Sequence, residues 1–274
     1  WCSSMTYAHR MPNTQPAITY TSYLKIEEIL QLQQPLSNGP EHDELLFIII
    51  HQSYELWFKS IHHELARAQD VLEEGDTHTA LGLLGRVRTI LKVLVSQVDI
   101  LETMTPLQFN SFRDRLEAAS GFQSAQFREL EAVFGRRDDG MIDHLPVGDQ
   151  RDRVGAAMKR RSLWDSVLRY LIARGHHVPD EIINRDVTIE YVANKDVQRA
   201  IANAYRSDPE TALLLERLVD IDEGLQEWRY RHVKMVERTI GHKIGSGGSS
   251  GASYLASTLF KPVFPDLWDV RSTF

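Results

Sequence analysis

Two stretches constrain this chain more than any others. "EHDELLFIIIHQSYELWFKSIHHELARAQDVLEEG" runs from Glu41 to Gly75, and "PETALLLERLVDIDEGLQEWRYRHVKMVERTIG" runs from Pro209 to Gly241. Both keep a helical rhythm without a break. The first is acidic in its opening turn and stops at a glycine; the second opens on proline and also stops at a glycine. No run alternates apolar and polar residues as a half-buried strand would. A chain organised around two such helices is all-α.

The remaining segments fit that class. "THTALGLLGRVRTILKVLVSQVDILETM" follows the first long helix after a very short turn, so the two should pack antiparallel. Thr105 and Pro106 open a further helix, with Thr at the N-cap and Pro at the first helical position, running through "LQFNSFRDRLEAA" to Ser120-Gly121. "SYLKIEEILQLQ" reads as one short amphipathic helix ending before Pro35, and "GRRDDGMIDHLPVGD" as a polar loop. Helical patterns resume in "DRVGAAMKRRSLWDSVLRYLIARG" and "KDVQRAIANAYRSD". The expected architecture is a single helical-bundle domain of long antiparallel helices over residues 20–274, behind a flexible extension at residues 1–19.

Charge and composition narrow the function. In a chain of 274 residues, a formal net charge of -7 argues against nucleic acid, because binding phosphate backbones needs clustered Lys and Arg. The longest apolar run, "LLFIII", is far short of the ~20 residues needed to span a bilayer. Cys2 is the only cysteine, which excludes an intrachain disulfide or a thiolate metal cluster. No secretory pattern is visible, and a reducing cytoplasm is expected.

Several side chains carry possible chemistry. His51 interrupts an apolar run, with Phe47 one turn before it and Tyr54 and Glu55 one turn after. It is either a satisfied core histidine or the polar group of an apolar pocket. His232 lies near the end of the second long helix; one imidazole cannot build a zinc site, but it can hold a haem iron whose other ligands come from the porphyrin. His62-His63-Glu64 lacks the spacing of a helical zinc site and reads as a solvated face. Phe109 and Arg113 form another pair one turn apart, and Arg113 is either a surface ion-pair partner or a fork for a carboxylate. "GSGGSSG", from Gly245 to Gly251, is either a linker or a loop that closes on a ligand with backbone N–H groups and the Ser246 hydroxyl. It lacks the Gly-Lys-Ser/Thr ending of a phosphate loop.

Taken together, "TYTSYLKIEEILQLQ", "HDELLFIIIHQSYELWFK", "FRDRLEAASGFQSAQFRELE", "RRSLWD", "RHVKMVERTIGHKIGSGGSSGASYL" and "FPDLWDVR" resemble the tryptophan 2,3-dioxygenase family, in that family's order. The resemblance implies haem b as cofactor, dioxygen as co-substrate and L-tryptophan opened to N-formylkynurenine, the first step of the kynurenine pathway. It implies that His232 is the proximal iron ligand and that His51 is the distal residue accepting the indole N–H. It further implies that Phe47 walls the pocket, that Arg113 clamps the substrate carboxylate with Phe109 beside it, and that Ser120 and Gly121 lie over the haem. Tyr20, Tyr23 and Leu24 match a segment that reaches the active site of a neighbouring subunit in a homotetramer. Ser246 stands where the family usually carries threonine, which keeps the hydroxyl but loses a methyl worth about 1 kcal/mol of packing. That change leaves open a haem monooxygenase forming an oxindole from a (substituted) tryptophan; a haem-binding sensor is the competing reading from another class.

Overall fold

The computed structural model describes residues 17–39, 41–116, 121–138, 140–143, 145–241, 243 and 255–274. Its α-helices in chain order are α1 (Tyr20–Leu24), α2 (Ile26–Ile29), α3 (His42–Glu73), α4 (Thr77–Leu101) and α5 (Pro106–Arg113). They continue with α6 (Ala125–Val133), α7 (Gly140–Asp143), α8 (Asp149–Met158), α9 (Leu163–Ala173) and α10 (Asp180–Ile183). The last are α11 (Lys195–Ser207), α12 (Pro209–Ile240) and α13 (Pro265–Asp269). Among the described residues there is no strand, so the all-α expectation holds. The chain divides into two compact units between Pro35 and Leu36.

In the N-terminal unit, the stretch expected as one helix is two. Lys25 adopts φ 55° and ψ 44°, a left-handed conformation that ends α1 and starts α2. Thr19 caps α1 through a reciprocal bond with Ser22. Tyr20, Tyr23 and Leu24 are exposed on α1.

The larger unit is built on α3, α4 and α12. α4 packs against both of the longer helices, and Leu84, Val87, Leu91, Leu94 and Val98 recur at helical spacing on its buried face. Gly75, at φ 80°, makes the tight turn between α3 and α4 that a residue with a Cβ would strain. The pairing across that turn is antiparallel: Arg86 grips Glu64 near the turn, and the Tyr54 hydroxyl donates to the Leu94 carbonyl farther from it. Thr77 on α4, Tyr170 on α9 and Thr211 on α12 link three helices through their buried hydroxyls.

Three other boundaries differ from expectation. α5 ends at Arg113, where Asp114 caps it, before the remainder of "RDRLEAA". The segment from Asp152 to Gly175 is broken at Lys159, because Ser162 and Asp165 form a capping box that starts α9 afresh. The polar loop after Gly135 contains the short helix α7.

The C-terminal segment is fastened by two fully buried carboxylates. Asp222 on α12 accepts the backbone N–H groups of Val263 and Phe264 and the indole N–H of Trp268, each at 3.0 Å. Asp266 accepts from Tyr191, Asn194 and Gln198. Burying these carboxylates is tolerable because both oxygens of each accept hydrogen bonds, Asp222 through Gln226 on its other oxygen.

Candidate active site

The apolar run of α3 turns one face toward a cavity of about 230 Å³. Phe47, His51, Tyr54, Glu55 and Phe58 line it from α3, at the recurrence that helical geometry requires. α5 adds Phe109 and Arg113, α6 adds Phe127, Arg128 and Glu131, and α12 adds Trp228, Arg229, His232 and Met235. The expected pocket residues Phe47, His51, Phe109, Arg113, Gly121 and His232 therefore meet at one place. Ser120 and Ser246 lie outside the described residues. Tyr20, Tyr23 and Leu24 belong to the N-terminal unit.

Around His51 the wall is aromatic. The Phe47 ring lies 4.0 Å from the imidazole, 5.9 Å from Phe109 and 5.7 Å from Phe112, and Phe109 and Phe112 meet edge to face. His51 Nδ1 is 2.7 Å from the Phe47 carbonyl oxygen. Burial pulls the His51 pKa below the usual imidazole value, against the Phe47 carbonyl and the Glu55 carboxylate, which favour the charged form. The His51 ring is half-buried and lines the cavity, with Nδ1 satisfied within its own helix.

His232 has a different setting. Trp228, one turn earlier on α12, stacks on its ring at 5.2 Å and 27°. Phe127 and Phe58 pack on Trp228 in turn. His232 has no hydrogen-bond partner among the described residues, and burial, then the charges toward His51 and Arg128, push its pKa down to about 4. A neutral imidazole with no hydrogen-bond partner among the described residues, facing a mostly apolar cavity, is suited to ligate a metal. Among the described residues no group of three or more His, Cys, Asp or Glu could hold a bare ion. The donor set therefore fits a metal that brings its own equatorial ligands, as an iron porphyrin does.

Two parts of the site escaped the sequence reading. One is Trp228, whose spacing of four residues before His232 was a usable signal. The other is a buried cluster on α6 and α12, where Arg128 lies 2.6 Å from Glu131 and Arg136 and Arg229 reach the other Glu131 oxygen at 2.9 and 3.4 Å. Burial alone would raise the Glu131 pKa, but Arg128, Arg136 and Arg229 hold it below its usual value. The Arg128–Glu131 spacing in "FRELE" looks like an ordinary surface pair, and nothing local marks it as buried.

Comparison with known proteins shows the family. The model of the family described as tryptophan 2,3-dioxygenase matches residues 4–146 and 203–274. A protein named tryptophan 2,3-dioxygenase from Herpetosiphon aurantiacus is 57% identical, over 93% of this chain and 98% of its own length. One of the same name from Anaeromyxobacter sp. (strain K) is 58% identical over 93% and 96%. Another from Caulobacter vibrioides is 44% identical over 93% and 98%. With a family match over more than half its length and such relatives along nearly all of it, the chain belongs to the tryptophan 2,3-dioxygenase family.

Proposed function

We propose that this protein is a haem-dependent dioxygenase that opens the indole ring of L-tryptophan to N-formylkynurenine. The observation that carries the reading is the meeting of His51 and His232, from two different helices, with Arg113 in one mostly apolar cavity. His232 would hold the haem b iron. When bound, that group supplies the open-shell metal that lets triplet dioxygen react with a closed-shell indole.

The chain's own residues bind, orient and shield. Phe47 and Phe109 offer apolar faces for the indole ring. His51 presents its second ring nitrogen as an acceptor for the indole N–H. Arg113 takes the substrate carboxylate through its planar fork. The aromatic wall keeps water from the reacting centre. In the balanced reaction the indole C2–C3 bond breaks and both atoms of one dioxygen enter the product, so no external reductant is consumed.

A homotetramer in the cytoplasm is part of this reading. The exposure of Ile18, Tyr20, Tyr23 and Leu24 on the N-terminal unit supports α1 as a segment that docks on a neighbouring subunit. Among the described residues no helix is long and apolar enough to cross a membrane.

The test is product mass analysis on protein loaded with haem, reduced, and given L-tryptophan and oxygen. A ring-opened product carrying two added oxygen atoms supports the reading. A one-oxygen oxindole would replace it with a monooxygenase, and a tryptophan-induced shift of the haem absorption band without product would replace it with a sensor. In parallel, His232→Ala should lose haem, whereas His51→Ala should keep it and turn over more slowly. Full haem content in His232→Ala would remove the ligand assignment.

A further inference from the structure

The buried charge cluster is not used by the chemistry above. Arg128 and Arg229 are 5% and 8% exposed, both line the cavity, and both lean on the single carboxylate of Glu131, which Arg136 also contacts. Asp138 offsets Arg136 from the solvent side at 2.8 Å. Asp222 faces Arg229 without pairing with it, because its oxygens are occupied by Val263, Phe264, Trp268 and Gln226. Among the described residues, Arg229 makes two contacts with its five N–H groups: Glu131 at 3.4 Å and the Lys261 carbonyl at 3.2 Å. Both are longer than well-formed charge-assisted bonds of about 2.7–2.9 Å. A guanidinium buried so deep and held so loosely is built to receive an anion.

We propose that Arg229, with Arg128 beside it, is the seat for a carboxylate carried by the cofactor. The inference rests on the haem reading above, since haem b carries two propionate carboxylates. Position favours the cofactor over the amino acid. Arg229 is three residues before His232 on α12 and so shares its side of the helix. The carboxylate fork for tryptophan, Arg113, comes from α5, next to the aromatic wall of His51. One chain thus keeps two carboxylate sites apart in one cavity. Glu131 serves as a resident counter-charge that competes with the ligand while keeping the guanidiniums ordered.

The experiment titrates the cofactor-free full chain with haemin and with haemin dimethyl ester, whose carboxylates are neutralised, following the haem absorption band. Arg229→Met should weaken haemin binding on the order of tenfold to a hundredfold and leave the ester unchanged. Glu131→Gln, which removes the competing charge and keeps the shape, should tighten haemin, and this gain stands as an independent test should Arg229→Met fail to fold. Equal losses for haemin and ester would mean a packing role and overturn the proposal. So would unchanged haemin affinity with weaker L-tryptophan binding to the loaded protein, which would assign the seat to the amino acid. Wild-type protein that binds neither haemin nor its ester would overturn the haem reading itself, a failure visible before any variant is compared.

Discussion

The carbonyl oxygen of Phe47 sets the tautomer of His51. The two atoms lie 2.7 Å apart, and since a carbonyl only accepts, Nδ1 must carry the proton and donate it. In the neutral ring, Nε2 is then a lone-pair acceptor. The helix that supplies the aromatic wall also aligns the one nitrogen able to receive an indole N–H.

This arrangement predicts a pH profile. Lowering the pH protonates Nε2 and destroys the acceptor, so kcat/KM should fall on the acid side. Because burial depresses the His51 pKa, the fall should come below the ordinary imidazole value of ~6.5. An acid limb centred at or above ~6.5 that disappears in His51→Ala would contradict a buried, neutral acceptor.

Arg113 should matter for the amino acid and not for the cofactor. Arg113→Met is expected to raise KM for L-tryptophan roughly tenfold to a hundredfold with haem content unchanged. Arg113→Lys should recover only part of the loss, because an ammonium cannot match a carboxylate with two parallel bonds. Steady-state kinetics beside haem quantitation checks this, and normal KM with lost haem would reverse the assignment.

Tyr54 ties the cavity wall to α4 and should make the fold sensitive to alkali. Its hydroxyl donates to the Leu94 carbonyl, and burial pushes its pKa up to about 12. The folded state therefore holds this proton more tightly than the unfolded chain does. The resulting stability is fully present below the unfolded value of ~10 and is lost as pH rises from ~10 toward ~12, on the order of 2–3 kcal/mol. Urea midpoints measured across that range should fall less steeply for Tyr54→Phe than for the wild type, and parallel slopes would refute the linkage.

Asp222 should be among the most costly buried positions to change. Asp222→Ala leaves the N–H groups of Val263, Phe264 and Trp268 without their shared acceptor in a fully buried place. A loss of roughly 3 kcal/mol or more is expected from equilibrium unfolding. A change within 0.5 kcal/mol, the range of ordinary surface substitutions, would show that the C-terminal segment is held by other contacts.

How far the sequence reaches can be judged from particular residues. The ends of α3 and α12 were legible because Gly75, Pro209 and Gly241 mark them chemically, and the Phe47–His51 and Phe109–Arg113 pairs were legible because helical spacing alone makes them neighbours. The break before α9 is masked, although Ser162 and Asp165 stand in plain sight, because the apolar rhythm runs on across it. The left-handed turn at Lys25 is illegible for a simpler reason: no local preference favours a left-handed lysine.

By itself, the order of residues determined an all-α chain, its longest helices and which side chains share a face. Only tertiary structure decided that the His51 face of α3 and the His232 face of α12 open on the same cavity, and that Arg128, Glu131 and Arg229 are buried rather than solvated. The reason is physical. Helical periodicity is a property of a few successive turns, whereas the axial offset between helices and the dryness of a charge depend on how distant apolar surfaces interlock.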